Sequence, residues 1–216
     1  MSGEKAKRSR EAYGSGSEFI FIYSHCRNVK YIQKGDIMKA IMVFHGNKVE
    51  GLGLNPVEIK ANPPMTLDGM AKILDLVPEV QGMNPGRIYC SRMARALNTA
   101  SVFSLELDLD IQTKSKLGQH GNRDGQEDIF YPGHEGEDLV KFQADGVEAL
   151  REIYNEIPEK DATVLVVSHR PTICGVVAHT ADVHDNRGIS SFLKDPQYTD
   201  KGYVVLEINK GTMKLL

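Results

Sequence analysis

The chain has 216 residues, 41% of them hydrophobic and 25% charged, with 20 glycines, 9 prolines and no tryptophan. That composition fits a globular protein of one domain and excludes a fibrous, low-complexity or disulfide-dense scaffold. A net charge of −3 and a pI of about 6.2 leave no global basic field for nucleic acid or an anionic membrane.

Residues 1–18, MSGEKAKRSREAYGSGSE, are polar and basic without hydrophobic periodicity, which predicts a mobile tail. The Gly-Ser-Gly-Ser-Glu-Phe stretch has the character of a cloning linker, and Lys34-Gly35-Asp36-Ile37-Met38 reads like a ribosome-binding site translated in frame ahead of a start codon. Residues 1–37 are therefore expected to be a flexible leader or tag, and residues 38–216 the domain proper.

From Met38 onward, strands and helices alternate. Lys39–Phe44 (KAIMVF) reads as a short buried strand that ends in His45-Gly46. Thr66 and Asp68 can cap a helix whose apolar face is Met70, Ile73, Leu74 and Val77 and which Pro78 ends. Arg87–Cys90 is a second strand, Ser91 is placed to N-cap a helix through Phe103, and Leu107–Ile111 is a candidate third strand. Residues 114–137 are rich in glycine and polar groups and read as a long loop. An amphipathic helix follows, with Leu139, Phe142, Val147, Leu150, Ile153 and Tyr154 on its buried side. Thr163–Val167 (TVLVV) is the clearest central strand and runs into Ser168-His169, after which Pro171 opens a helix through His179. Gly202–Ile208 and Thr212–Leu216 complete a terminal hairpin. This order predicts an α/β three-layer sandwich, a mostly parallel central sheet with helices on both faces. Ligands of such sheets bind at the C-terminal strand ends, where His45, Ser91 and His169 all fall.

Four segments carry the chemistry. They are strand-His45-Gly46, then Met65-Thr66-Leu67-Asp68-Gly69, then Ser91-Arg92-Met93-Ala94-Arg95-Ala96-Leu97-Asn98-Thr99-Ala100, then a strand ending in Ser168-His169. Their order and spacing resemble the histidine phosphatase superfamily, also called phosphoglycerate-mutase-like. That family shows Arg-His-Gly, Leu-Thr-x-x-Gly, Ser-x-x-x-Arg-Ala-x-x-Thr-Ala and a strand ending in Ser-His. The resemblance runs from Met38 to about Ala178 and implies a phosphoglycerate-mutase-like sandwich. It also implies phosphomonoester hydrolysis through a phosphohistidine on His45, with Arg95 and His169 clamping the phosphoryl oxygens. A phosphomonoester carries nearly two negative charges, so such a pocket needs several cationic or donor groups. No metal or cofactor is implied. The implied partner is a small phosphorylated substrate or a phosphoprotein, with no role for nucleic acid or membrane.

His25, in Ser24-His25-Cys26, competes with His45 for the nucleophile's place. His45 precedes Thr66 by 66 − 45 = 21 residues and His25 by 66 − 25 = 41, and only His45 keeps a following glycine, so spacing favours His45. Two departures from the family pattern bear on activity. Phe44 stands where an arginine is expected before the nucleophile, and Gln119 aligns with the glutamate that usually donates a proton. Arg92 or Lys48 could restore the lost charge, and Arg170, after the second histidine, could add more. His120, Asp124, Glu127 and Glu135 are possible acids. A degenerate member that binds a phosphorylated ligand or protein without turning it over is therefore the alternative, and mutase activity a third.

Two other chemistries fail on spacing. His25-Cys26-Arg27 lacks the arginine a cysteine-dependent phosphatase loop requires, since that position is Ile32. No His, Cys or Asp cluster has metal-ligand spacing. Cys26, Cys90 and Cys174 are an odd set read as unpaired thiols, and with no signal or membrane-spanning run the expected setting is the cytoplasm.

Overall fold

The structure, a computed structural model, describes residues 19–20, 32–33, 37–48, 62–118, 138–159 and 161–216. It divides into two compact units, Met1–Asp36 and Ile37–Leu216. In the first, β1 (Phe19–Ile20) pairs antiparallel with β2 (Ile32–Gln33). Of the expected leader, Ile37 belongs to the second unit, and the rest beyond β1 and β2, including His25 and Cys26, lies outside the described residues.

The second unit holds a six-stranded sheet. Its strands are β3 (Met38–Phe44), β4 (Arg87–Cys90), β5 (Ile111–Thr113), β6 (Thr163–Ser168), β7 (Tyr203–Ile208) and β8 (Met213–Leu215). Their order across the sheet is β5-β4-β6-β3-β7-β8. The first four are mutually parallel and the last two antiparallel, as the alternating pattern predicts for all but the terminal hairpin. In β6 Val164, Leu165, Val166 and Val167 are all fully buried, so the strand is covered on both faces. Each such side chain contributes about 1.5–3 kcal/mol of burial.

Helices α1 (Leu67–Gly82) and α2 (Ala94–Leu107) cover one face. There Ile73, Val77 and Phe103 pack with Ile41, Val43, Ile88 and Val167 of the strands. Helices α3 (Leu139–Glu156) and α4 (Arg170–Thr180) cover the other, where Leu150, Ile153, Ile173 and Val176 meet Met42, Tyr89 and Val166. Two further helices, α5 (Asn186–Lys194) and α6 (Pro196–Thr199), lead into β7 and are not foreseen from the sequence. They are short, and their turns are fixed by aspartates: Asp185 accepts from Gly188 N and Asp195 from Gln197 N.

Four expectations need correction. Helix α1 runs through Pro78 to Gly82 instead of ending there. Pro78 is exposed while Val77 and Val80 beside it are buried, so core packing carries the helix across the missing backbone bond. Met70 and Leu74 face outward, and Gly69, Ile73, Val77 and Val80 form the buried stripe. Ser91 does not cap α2, whose first N–H groups include Ala94 N donating to Asn62 Oδ1 at 2.7 Å. Leu107–Ile111 is not a strand, because α2 continues to Leu107 and closes on Asp108 in the left-handed region, leaving β5 at Ile111–Thr113.

Helices α3 and α4 approach closely at Gly146 and Gly175. A Cβ on Gly175 would lie 3.0 Å from Gln143 Cα and 3.1 Å from Gln143 N, both backbone atoms. Gly175→Ala is expected to destabilise the protein by about 1–3 kcal/mol, whereas Gly82→Ala, at a helical position with open space around it, should stabilise it by up to ~1 kcal/mol. Urea unfolding of the two variants checks both signs.

Candidate functional site

Strands β4, β6 and β3 lie side by side, so Ser91, Ser168-His169 and His45 leave the sheet from three adjacent C-terminal ends. Pairing extends one residue beyond the strands: Ser91 N donates to Val167 O at 3.1 Å and His45 N to Ser168 O at 3.0 Å. The two histidine rings stand 4.9 Å apart between centroids, tilted by 59°. Arg95, in the first turn of α2, is buried at 3% exposure and reaches across to them. The structure thus brings His45, Arg95 and His169 together.

The His45 tautomer follows from its partners. Nδ1 lies 2.8 Å from the Gly46 carbonyl, which can only accept, so Nδ1 carries the proton. Nε2 then holds a lone pair, and Arg95 Nε–H donates to it at 3.1 Å. Burial, then the charges of Arg95 and Lys48, pull the His45 pKa down from 6.5 to about 4, against the Gly46 carbonyl, which favours the protonated ring. His169 is fully buried and held well below the usual histidine range by desolvation, with His45 and Arg95 adding to it. Its Nε2 pairs with Ser91 Oγ at 2.9 Å, while Nδ1 has no hydrogen-bond partner among the described residues. Burial lowers the Arg95 pKa only to about 10, so it stays cationic at neutral pH. The result is two neutral imidazoles facing one buried guanidinium.

A residue the sequence reading passed over holds this arrangement. Thr99 Oγ1 accepts from Gly46 N at 3.0 Å and donates to Arg95 O at 2.8 Å, tying the His45 turn to α2. The signal was the Arg95–Thr99 spacing of four, which sets both on one helix face. Ser91 is likewise a partner of His169 and not a helix cap. Gly46 is fixed on the same side. Its N–H is taken by Thr99, and a Cβ there would meet Met65 Sδ at 2.3 Å, so the glycine admits Met65 and not a ligand. Gly69 does the same for the next residue, since a Cβ would lie 2.6 Å from Asn47 N.

Phe44 is half-buried and packs against the apolar clusters built on α3, α4 and α5, so the position has joined the core. It also lines, with His45, Lys72, Arg170 and Lys201, a cleft of about 660 Å³. Arg92 and Arg170 are exposed and Lys48 is half-buried. Gln119, His120, Asp124, Glu127 and Glu135 lie outside the described residues. Cys90 and Cys174 are free and buried, and burial pushes both thiols up to about 12. Among the described residues no group of three or more His, Cys, Asp or Glu side chains could hold a metal ion, and no helix is long and apolar enough to cross a membrane.

Comparison with known proteins agrees with the motifs. Residues 42–127 match the sequence model of the histidine phosphatase superfamily, branch 1. No curated protein matches the chain. Among solved structures it is similar to YhfR of Bacillus stearothermophilus (17% identity, TM-score 0.62, covering 82% of this chain and 95% of that one). A mycobacterial glucosyl-3-phosphoglycerate phosphatase is similar at 16% identity and TM-score 0.60, over 83% and 97% of the two chains. A phosphoserine phosphatase from Entamoeba histolytica, solved with phosphoserine, is similar at 16% identity and TM-score 0.59, over 82% and 94%. The resemblance to the histidine phosphatase superfamily holds in sequence over residues 42–127, and the fold is phosphoglycerate-mutase-like.

Because His45 is held neutral when folded but takes up a proton near pH 6.5 when unfolded, stability falls as pH drops from about 6.5 towards 4. For His45 alone the loss is roughly 3 kcal/mol at the acid end. The difference in unfolding free energy between wild type and His45→Gln should shrink by that amount between pH 7 and pH 4, and a difference independent of pH contradicts the assignment. Thr99→Val leaves the buried Gly46 N–H without its acceptor and should cost about 1–3 kcal/mol in the same urea titration.

Proposed function

We propose that this chain, which carries the sequence signature and the fold of the histidine phosphatase superfamily, hydrolyses phosphate monoesters through a phosphohistidine on His45. The observation that carries the reading is the His45 tautomer: Nδ1–H is fixed on Gly46 O, and the Nε2 lone pair faces a buried guanidinium. An imidazole kept neutral by burial is a competent nucleophile at physiological pH. Solved relatives named as phosphoserine and glucosyl-3-phosphoglycerate phosphatases add support. The substrate is then a small phosphorylated molecule or a phosphoprotein, and the site acts in the cytoplasm.

In the resting state Arg95 occupies the attacking lone pair. A phosphate competes for that guanidinium: its oxygens take the Arg95 donors and free Nε2 for in-line attack. The Nε2–P bond forms as the ester P–O bond breaks, the leaving oxygen takes a proton from water, and the neutral ring, keeping Nδ1–H on Gly46 O, becomes the cationic ring of a phosphohistidine. Water then attacks phosphorus, loses a proton, and releases inorganic phosphate and neutral His45. His169, anchored on Ser91, faces the transferring group from β6 with its unpartnered Nδ1. Transfer of this kind depends on positioning and charge stabilisation, so each clamp counts for orders of magnitude.

The alternative, a binding module for phosphorylated ligands that has lost turnover, draws on Phe44 and on Gln119, whose amide cannot donate a proton as an acid does. The two readings separate on leaving groups. Hydrolysis without a strong acid should favour p-nitrophenyl phosphate over an alkyl phosphate by about 10²-fold or more, within the contribution general acids make. His45→Ala should abolish turnover, His169→Ala and Arg95→Ala should lower kcat by about 10²–10³-fold, and His25→Ala should leave it unchanged. A wild type that binds phosphate or vanadate yet turns over neither ester supports the binding module instead.

A further inference from the structure

We propose that Lys48 replaces the arginine absent at position 44 and supplies the second cation to the transferring phosphoryl group. The inference rests on the hydrolytic reading above and assigns a residue that the family pattern does not.

A pocket for a near-dianionic group needs more than one cation, and position 44 supplies none, since Phe44 packs against the apolar clusters. Lys48 lies three residues past the nucleophile in the same turn. Its backbone is fixed by a β-bridge to Met65. Met65 is itself held by α2, through its N–H on Asn98 Oδ1 at 3.2 Å and the contact of its Sδ with Thr99 Oγ1 at 3.4 Å. The backbone of the lysine is therefore tied, through Met65, to the helix that presents Arg95. Its side chain is half-buried, and among the described residues no carboxylate pairs with it. A half-buried ammonium without a counter-ion is costly unless an anion arrives to meet it. Its charge is felt at the right place, because it opposes protonation of His45 together with Arg95.

The rival cations are less well placed. Arg92 is exposed, and its charge bears on neither His45 nor His169. Arg170 does line that cleft, on the Phe44 side, but it is exposed and its charge bears on neither His45 nor His169. It shares the cleft with Asp75 and Asp200, which offset the charges of Lys72 and Lys201.

The test measures kcat and KM for p-nitrophenyl phosphate, and vanadate affinity by calorimetry, in Lys48→Met, Lys48→Gln, Arg170→Met and the Lys48→Met/Phe44→Arg pair. Each variant's urea midpoint is measured alongside. Lys48→Met and Lys48→Gln should lose about 10²-fold or more, chiefly in kcat, with midpoints at or above that of wild type. Phe44→Arg in the Lys48→Met background should recover most of that loss, which a purely structural lysine would not allow. Arg170→Met should stay within about threefold of wild type, within the reach of a rim charge. Loss confined to KM, loss that follows Arg170 instead, or wild-type rates in both Lys48 variants overturns the assignment while leaving hydrolysis at His45 intact. If wild type shows no turnover above His45→Ala, the hydrolytic reading falls, and vanadate decides on Lys48 by itself. Tenfold weaker binding that Phe44→Arg restores keeps the assignment, and unchanged binding removes it.

Discussion

The parallel pairing of β3 with β6 is the constraint on which the site depends. Phe44 sits opposite Ser168, and the next backbone bond, His45 N to Ser168 O, carries the register one step past the strand ends. That places two histidines, more than a hundred residues apart in sequence, on neighbouring strand termini. Because side chains alternate across a sheet, a slip of one residue would turn His45 onto the opposite face, away from α2 and Arg95. The register is in turn specified by burial on both faces, with Ile41 and Val43 packed under α1 and α2 and Met42 under α3 and α4. Core packing and site geometry are thus one problem, solved by the same residues.

Neutrality of the histidines follows from the same burial. In water an imidazole is half protonated near pH 6.5, and a protonated ring has no lone pair for phosphorus. Sealing His45 and His169 beneath the helix ends raises the cost of that charge, and the fixed cation Arg95 raises it further. The arrangement costs stability at acid pH, where the unfolded chain can take up protons that the folded one refuses. It is repaid only when an anion enters, since a phosphate meets Arg95 without needing either imidazole to be charged.

The parts of this picture visible in the sequence are those set by short-range pattern. Alternating apolar runs of four to seven residues marked the strands β3, β4 and β6, and the turn after each carried the chemistry. His45, Arg95 and His169 could be named together because each follows a fixed offset from such a run. What stayed hidden depends on tertiary context. Pro78 ends isolated helices, but here the buried Val77 and Val80 hold the helix on both sides of it. Ser91 has the chemistry of a helix cap, but its hydroxyl accepts from Met93 N, just ahead of the helix, and pairs with His169 after β6, leaving Asn62 to serve Ala94 N. The helices α5 and α6 are short, and the apolar stripe of α5, Ile189, Phe192 and Leu193, spans little more than one turn, too brief to mark a helix by its period alone.

Position 44 shows how such a site can change without losing its frame. A residue at the end of β3 lies between the pocket and the apolar clusters on α3, α4 and α5, within reach of either. An arginine there would turn its guanidinium to the ligand and leave a gap in the packing, whereas phenylalanine fills the gap and removes a charge. Packing alone would tolerate the exchange, and so would the register, because neither His45 nor Thr99 touches the side chain through the bonds that fix the turn. The loss falls only on the anion, and the turn between His45 and Lys48 is the shortest route by which the chain could return a cation. Lys48 is anchored through its backbone to Met65, whose N–H rests on Asn98 of α2. The pocket keeps its cationic character, but its second positive charge is a compact ammonium and not a fork. Such a group attracts phosphate without dictating the angle at which two oxygens must be held. A site built this way relies on Arg95 alone for orientation, which makes the Thr99 tie between Arg95 and the His45 turn more important than it would be in a pocket with two guanidinium groups.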